Sequence, residues 1–479
     1  MKQRNIFTNI SPLDHRYSMA NSELYDALAR HLSEDGAIKY AIQVEMALLK
    51  SIIPYVQGIS GKEAIIEKLD SLSDEIDPEE VYEEEEKTQH NIRALVNVIK
   101  QKVPPEVAHL VHLGATSMDV LDTVFSLRIK KAVQEVVLPL LKDVLGKMMD
   151  IAGEHAATPQ VGRTHGQHAV PITFGHTFSE YISRLGKSIK RIAEYSEDLR
   201  GKLAGAVGAY NATSMVVTDP EALEKTYLAY LGLKPSDHST QIIEPEYHLR
   251  LLVEINIAFG VIANLADDLR NLQRTEIGEV KEGFIATQVG SSTMPQKRNP
   301  WNSENIKSMW KAYAPRVMTF FMDQISEHQR DLTNSASSRF VMEYIAGFAF
   351  AARRLLKVLS SLYVDKERMM KNIRFQGDMV LAEPAYILLA LAGVKDAHEV
   401  IRVKTLACEE KNITLAQALM QDTKVWAMLE KQYALIAKNK AEDFFNNPHR
   451  YCGIAEKKSQ KIIGEAKQIL ADVKAILGE

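Results

Sequence analysis

The chain has 479 residues, 46% hydrophobic and 25% charged, with 58 basic against 62 acidic residues and a formal net charge of −4. That is enough chain for two or three domains or one large helical body, and it excludes collagen-like, disordered and globally basic nucleic-acid-binding classes. The two cysteines, Cys408 and Cys452, lie far apart, which argues against a disulfide framework or a zinc site and fits a reducing cytoplasm.

The first 115 residues read as mixed shorter helices forming an N-terminal domain. Its acidic run EEVYEEEEKTQH, ending at His90, reads as a solvated helix face. The N-terminus has no apolar stretch of signal length, and no run of about 18 apolar residues is expected anywhere, so a soluble protein without membrane partners is expected. In LGATSMDVLDT, residues 113–123, Thr116 or Ser117 caps a long helix over 119–154, with Pro139 as a kink. Those hydroxyls are either a plain cap or donors at a helix N-terminus. QVGRTHGQHAVP, residues 160–171, sets His165 and His168 around Gly166 in a loop between rods, beside Arg163, Thr164 and Gln167. A histidine there is either structural or an acid–base group, since its pKa lies near working pH. Long helices are predicted over 174–203 and 246–280, the second as a rod near 50 Å long by the roughly 1.5 Å rise per residue.

The stretch KEGFIATQVGSSTMPQKRNP then breaks the period with small and flexible residues. Asn299 as N-cap and Pro300 as first helical residue predict a helix over 300–322. Its N–H groups and Lys297 would favour a carboxylate or phosphate; the alternative is an ordinary surface loop before a capped helix. In EHQRDLTNSASSRF, residues 327–340, Ser335 and Arg339 are expected to share a helix face, with Arg330 before them. This is either a phosphate cradle or an exposed helix start. From residue 365 onward the helices shorten into a C-terminal domain. The predicted class is therefore all-α: three helical domains over 1–115, 116–364 and 365–479, with long central helices and a mobile loop over 281–298. The rods are apolar on most faces, which predicts that identical chains share them. No Walker loop, HExxH, Gly-x-Ser-x-Gly or Rossmann fingerprint supports metal or nucleotide-cofactor chemistry.

GSSTMPQKRNP closely resembles the signature loop of the fumarase/aspartase superfamily, whose members eliminate fumarate from a substituted succinate. GATSMD and GRTHGQHA match two further superfamily regions in the same order, and DLRNLQRTEIGEV is similar to the segment before the loop. Within the superfamily SPLDHRY, KTQHNIRALV, the KRNP ending and the spacing of Arg330, Ser335 and Arg339 resemble the adenylosuccinate lyases. That resemblance implies fumarate elimination from adenylosuccinate to give AMP, and from the succinyl-carboxamide ribotide of purine synthesis. It implies a homotetramer with each site built from three subunits, and no metal or cofactor. It assigns Ser292 as general base and His165 as general acid, Lys297 and Asn299 to the succinyl carboxylate, and Glu304 to support of the site. His90, Asn91, His112, Thr116, Ser117, Thr164 and Gln241 match substrate contacts, Arg16 and Tyr17 nucleotide contacts, and Arg330, Ser335 and Arg339 the phosphate. Asn91 departs from the aspartate usual in the family, and AEPAY at 382–386 lacks an arginine that often follows its glutamate. The alternatives are an argininosuccinate lyase or carboxymuconate cycloisomerase, or a helical scaffold without activity.

Overall fold

The computed structural model describes residues 5–284, 293–294 and 296–478. The chain is 69% helical, and among the described residues the strands are short and pair only in two-stranded sheets. The all-α class expected from periodicity is the observed one.

The central rods form as their apolar spacing dictates, with local departures that have physical causes. Helix Ser117–Ala132 runs through a π-helical turn, Val133–Val137, directly into Leu138–Glu154. The π turn sits just ahead of Pro139, whose ring and missing N–H disrupt the normal i→i−4 ladder, so the break falls where the kink was predicted. Helix Phe174–Glu197 packs back against Leu138–Glu154 and against the last helix, Ala455–Leu477. Glu246–Leu272 packs on Phe174–Glu197, Trp301–Tyr313 and Phe340–Ser360. The rod predicted over 246–280 thus ends at Leu272, and the next residues turn and enter a short strand, Val280–Lys281. The helix predicted over 300–322 is two pieces, Trp301–Tyr313 and Val317–Met322, because Pro315 forces a 3-10 turn between them.

One cluster of buried side chains fills this bundle, with Phe259 and Phe348 edge to face at 5.3 Å between ring centroids. A second joins Glu34–Ile52 and Asn91–Lys102 to the start of Ser117–Ala132 and to Pro220–Tyr230. A third lies within residues 380–445. By length and mean hydropathy alone Glu246–Leu272 could cross a membrane, although Arg250, Glu254 and Asn256 interrupt its apolar residues. Here 61% of its most apolar window is buried inside the protein, as a core helix requires.

Candidate active site

A cavity of about 690 Å³ lies between the N-terminal helices, the first turns of Ser117–Ala132, the start of Glu246–Leu272 and the segment 320–342. Asn91, Arg330, Ser335 and Arg339 line it, so the structure brings together four residues named from the sequence. Gln241 joins them, because its Oε1 accepts from Arg330 Nη1 at 3.0 Å. Ser335 and Arg339 do not share a helix face as predicted. Residues 332–336 form turns, Ser337–Arg339 is a 3-10 helix, and the α-helix begins only at Phe340. Asp323 imposes this path: its backbone oxygen accepts from Asn334 Nδ2 (2.7 Å) and its Oδ1 from Ser337 Oγ (2.7 Å). Asp323, Ser326 and Asp331 line the same wall.

His248 and Asp122 are among the titratable groups facing the cavity that sequence reasoning missed. His248 Nε2 is 2.9 Å from Ser126 Oγ, and burial pushes its pKa down to about 4, which keeps it neutral. Asp122 is pushed up to about 6 by burial, against the opposing effects of the Ile243 amide and of Lys202 and Arg330. Neither carried a sequence signal beyond its place near a helix start, Asp122 in Ser117–Ala132 and His248 in Glu246–Leu272.

His112, Thr116 and Ser117 lie together where the chain enters Ser117–Ala132. Thr116 is the N-cap and Ser117 the first helical residue, with Asp119 Oδ2 accepting from the Thr116 amide at 2.8 Å. Asp119 also pairs with Lys202; both side chains are buried, and Lys202 Nζ and the Gly205 amide hold the loop after residue 200 against this turn. His90 is exposed and caps Asn91–Lys102, its Nδ1 accepting from the Arg93 amide at 3.3 Å. Asn91 Oδ1 accepts from the Ile92 amide (2.8 Å), which leaves its Nδ2 donor and a second lone pair on Oδ1 for a ligand.

His165 is not in a plain loop between rods. Pro159–Thr164 and Gln167–Thr173 pair as an antiparallel hairpin, with His165 (φ 53°) and Gly166 (φ 75°) as its two turn residues. Positive φ at both positions is what a tight hairpin turn requires. Thr164 and His165 are therefore exposed at the tip. Glu279, fully buried, anchors the hairpin: it accepts from both terminal nitrogens of Arg163 (2.6 and 3.1 Å), from Gln160 Nε2 (2.8 Å) and from Asn372 Nδ2 (2.7 Å). Thr164 and His165 are not among the residues lining the cavity of their own chain.

Residues 285–292 and 295 lie outside the described residues, and Ser292 with them. After this stretch Lys297 is exposed, and the helix N-cap is Pro300 rather than Asn299, since Pro300 at ψ 54° is not helical and the helix opens at Trp301. The Asn302 and Ser303 amides at that helix start are not free for a substrate anion. Glu282 accepts from the Asn302 amide (3.3 Å) and Nδ2 (2.9 Å) and from the Ser303 amide (2.8 Å) and Oγ (2.6 Å). Gln273 ties the two sides together, accepting from the Glu282 amide and donating to the Arg298 carbonyl. Glu304 is exposed in the first turn. Tyr17 OH accepts from Asn305 Nδ2 at 3.4 Å, and Arg354 lies over the rings of both Tyr17 and Trp301. Arg16 is exposed beside it. One chain therefore holds a nucleotide-sized cavity lined by Arg128, Arg330 and Arg339, while the hairpin tip and Lys297 lie outside its lining.

A lyase family profile matches residues 15–313 and an adenylosuccinate lyase C-terminal profile residues 326–440. The adenylosuccinate lyase of Archaeoglobus fulgidus is 31% identical over 470 residues, covering 96% of this chain and 99% of the relative. That of Methanocaldococcus jannaschii is 30% identical, covering 96% of each chain. Among solved structures, the fold is shared with a 3-carboxy-cis,cis-muconate lactonizing enzyme from Pseudomonas putida (TM-score 0.78, 22% identity, 93% of this chain and 98% of that one). A fumarate lyase from a Mesorhizobium species is similar (TM-score 0.77, 21% identity, 92% and 97%). The chain belongs to the adenylosuccinate lyase family of the fumarase/aspartase superfamily.

Proposed function

We propose that this chain is a carbon–nitrogen lyase that splits adenylosuccinate into fumarate and AMP, and the succinyl-carboxamide ribotide into fumarate and the aminoimidazole carboxamide ribotide. Family membership supports the reaction. The observation that carries the substrate class is the cavity in which Arg330, Ser335 and Arg339 meet, with Gln241 held on Arg330. Two guanidinium groups and a hydroxyl suit a phosphate, which they can grip through charge-assisted hydrogen bonds.

In the reaction Ser292 takes a proton from the succinyl carbon next to a carboxylate, leaving an aci-carboxylate dianion. That species is the expensive one. Lys297 stabilises its charge, because a preorganised cation acts most strongly where charge develops. Glu282 occupies the Asn302 and Ser303 amides, so the lysine carries more of this work than the helix end does. A serine is too weak a base at neutral pH unless its alkoxide is stabilised, and Lys297 supplies that too. The C–N bond then breaks, its electron pair goes to nitrogen, and His165 delivers the proton there. Asn299 holds the succinyl carboxylate and Glu304 supports the site. His90, Asn91, His112, Thr116, Ser117, Thr164, Arg16 and Tyr17 complete the substrate contacts.

His165 and Lys297 lie outside the lining of the cavity of their own chain, which supports a homotetramer in which different chains complete each site. Both cysteines are free, and we place the enzyme in the cytoplasm. Comparing turnover of adenylosuccinate with that of its phosphate-free nucleoside tests the substrate class. A kcat/KM at least about a hundredfold lower without the phosphate is expected, the scale of losing one or two charge-assisted bonds. Equal use of both compounds would remove the cradle.

A further inference from the structure

Below the segment from His112 to Ser117, here the substrate loop, lies an acid that the proposed reaction leaves unused. Glu45, on Glu34–Ile52, is fully buried; its Oε1 is 2.6 Å from His112 Nδ1, and its Oε2 is buried with no hydrogen-bond partner. A buried carboxylate with one partner is costly unless that partner carries the opposite charge. His112 holds a left-handed backbone conformation (φ 66°), which a histidine adopts at some strain, and its side chain stays 21% exposed. Its Nε2 has no hydrogen bond among the described residues, and four residues later the chain reaches Thr116 and Ser117. One end of the imidazole is thus fixed by a sealed carboxylate while the other is open at the substrate loop.

The surrounding charges agree with this arrangement. Burial alone would lower the His112 pKa, but the Glu45 hydrogen bond and charge, helped by Asp119, outweigh burial and the opposing Lys100, so the net shift is upward. Asp119 is already paired with Lys202, and the Tyr227 hydroxyl also feels the Glu45 charge.

We infer that Glu45 is a positioning residue that holds His112 as an imidazolium, with Nε2–H presented to an anionic oxygen of the substrate. The inference rests on the reading of the chain as an adenylosuccinate lyase. A histidine so held keeps its proton to higher pH than a free imidazole, so the wild-type KM should rise at higher pH than that of a variant lacking the carboxylate. In Glu45→Gln the carboxylate charge is gone, burial dominates, and the proton leaves below the ordinary histidine value of about 6.5.

The experiment measures kcat and KM against pH for wild type and Glu45→Gln with adenylosuccinate. The expected result is a KM ratio near one at about pH 5.5 that grows to tenfold or more at about pH 8, roughly a decade per unit of pKa displacement, with kcat much less affected. Repeating it with the phosphate-free nucleoside identifies the oxygen: a ratio that persists assigns the succinyl carboxylate, and one that vanishes assigns the phosphate. A KM ratio constant across pH, or a loss confined to kcat, would overturn the inference. Where Glu45→Gln does not fold, His112→Gln carries the test: its KM should be raised and should lose the rise with pH, and an unchanged profile overturns the inference. A wild type that does not turn over adenylosuccinate contradicts the underlying reading instead.

Discussion

The carboxylate of Glu282 accepts from both the amide (2.8 Å) and the hydroxyl (2.6 Å) of Ser303, and so closes the helix start that comes after the signature loop. Removing it strands those donors and the two on Asn302. Glu282→Ala should lower stability by about 2 kcal/mol, the scale of losing a good helix cap with its side-chain bonds. It should lower kcat more than KM, because Lys297 and Asn299 lie just before that helix start. Glu282→Gln, which keeps one acceptor oxygen, should fall between. Thermal unfolding and steady-state kinetics on both variants check this; unchanged melting and unchanged kcat would contradict it.

Ser292→Ala should reduce turnover by about 10²–10⁴-fold, the usual scale for a general base, with substrate binding largely kept. Ser291 stands beside it in the same loop, so Ser291→Ala is the necessary comparison. Should Ser291→Ala be the dead variant and Ser292→Ala retain more than about a tenth of turnover, Ser292 is not the base.

The cavity wall predicts opposite pH effects from two neighbours. His248 is lowered to about 4 from an ordinary 6.5, so its contribution to stability is fully present above 6.5 and is lost as pH falls towards 4. That contribution is at most about 3 kcal/mol. Asp122 is raised to about 6, so its contribution is present below its ordinary value near 4 and is lost as pH rises through 6. Relative to wild type, His248→Gln should therefore lose less stability on acidification from pH 7 to 4, and Asp122→Asn should lose less on going from pH 4 to 7. Denaturant midpoints across that range check both signs.

Purified alone, Ser292→Ala and His165→Ala should each be nearly inactive. If different chains supply the two residues, co-refolding equal amounts should restore up to about a quarter of the sites under random reassortment. Size exclusion confirms reassembly, and well-formed hybrids without activity would contradict the shared site.

The long helices and the motif order were legible because apolar spacing and short contiguous motifs are local properties. The hairpin over Pro159–Thr173 was not. Its strands are short, and its turn uses His165 at positive φ, where asparagine or glycine is the usual signal. The start of Trp301–Tyr313 was misplaced by one residue, since sequence alone does not show that Pro300 takes a non-helical ψ. The path around Ser335 and Arg339 depends on Asp323, eleven or more residues earlier. Glu45, Glu279 and Glu282 were invisible as partners for the same reason: each acts on residues distant in sequence. A buried glutamate reads as an ordinary helix or loop residue until its partners are in place.

The most direct measurement is product formation by the purified wild-type chain from adenylosuccinate and, in parallel, from argininosuccinate. An adenylosuccinate lyase yields fumarate and AMP in equal amounts from the first and does not turn over the second. Fumarate from argininosuccinate alone, or no product from either by a correctly folded protein, would contradict that assignment.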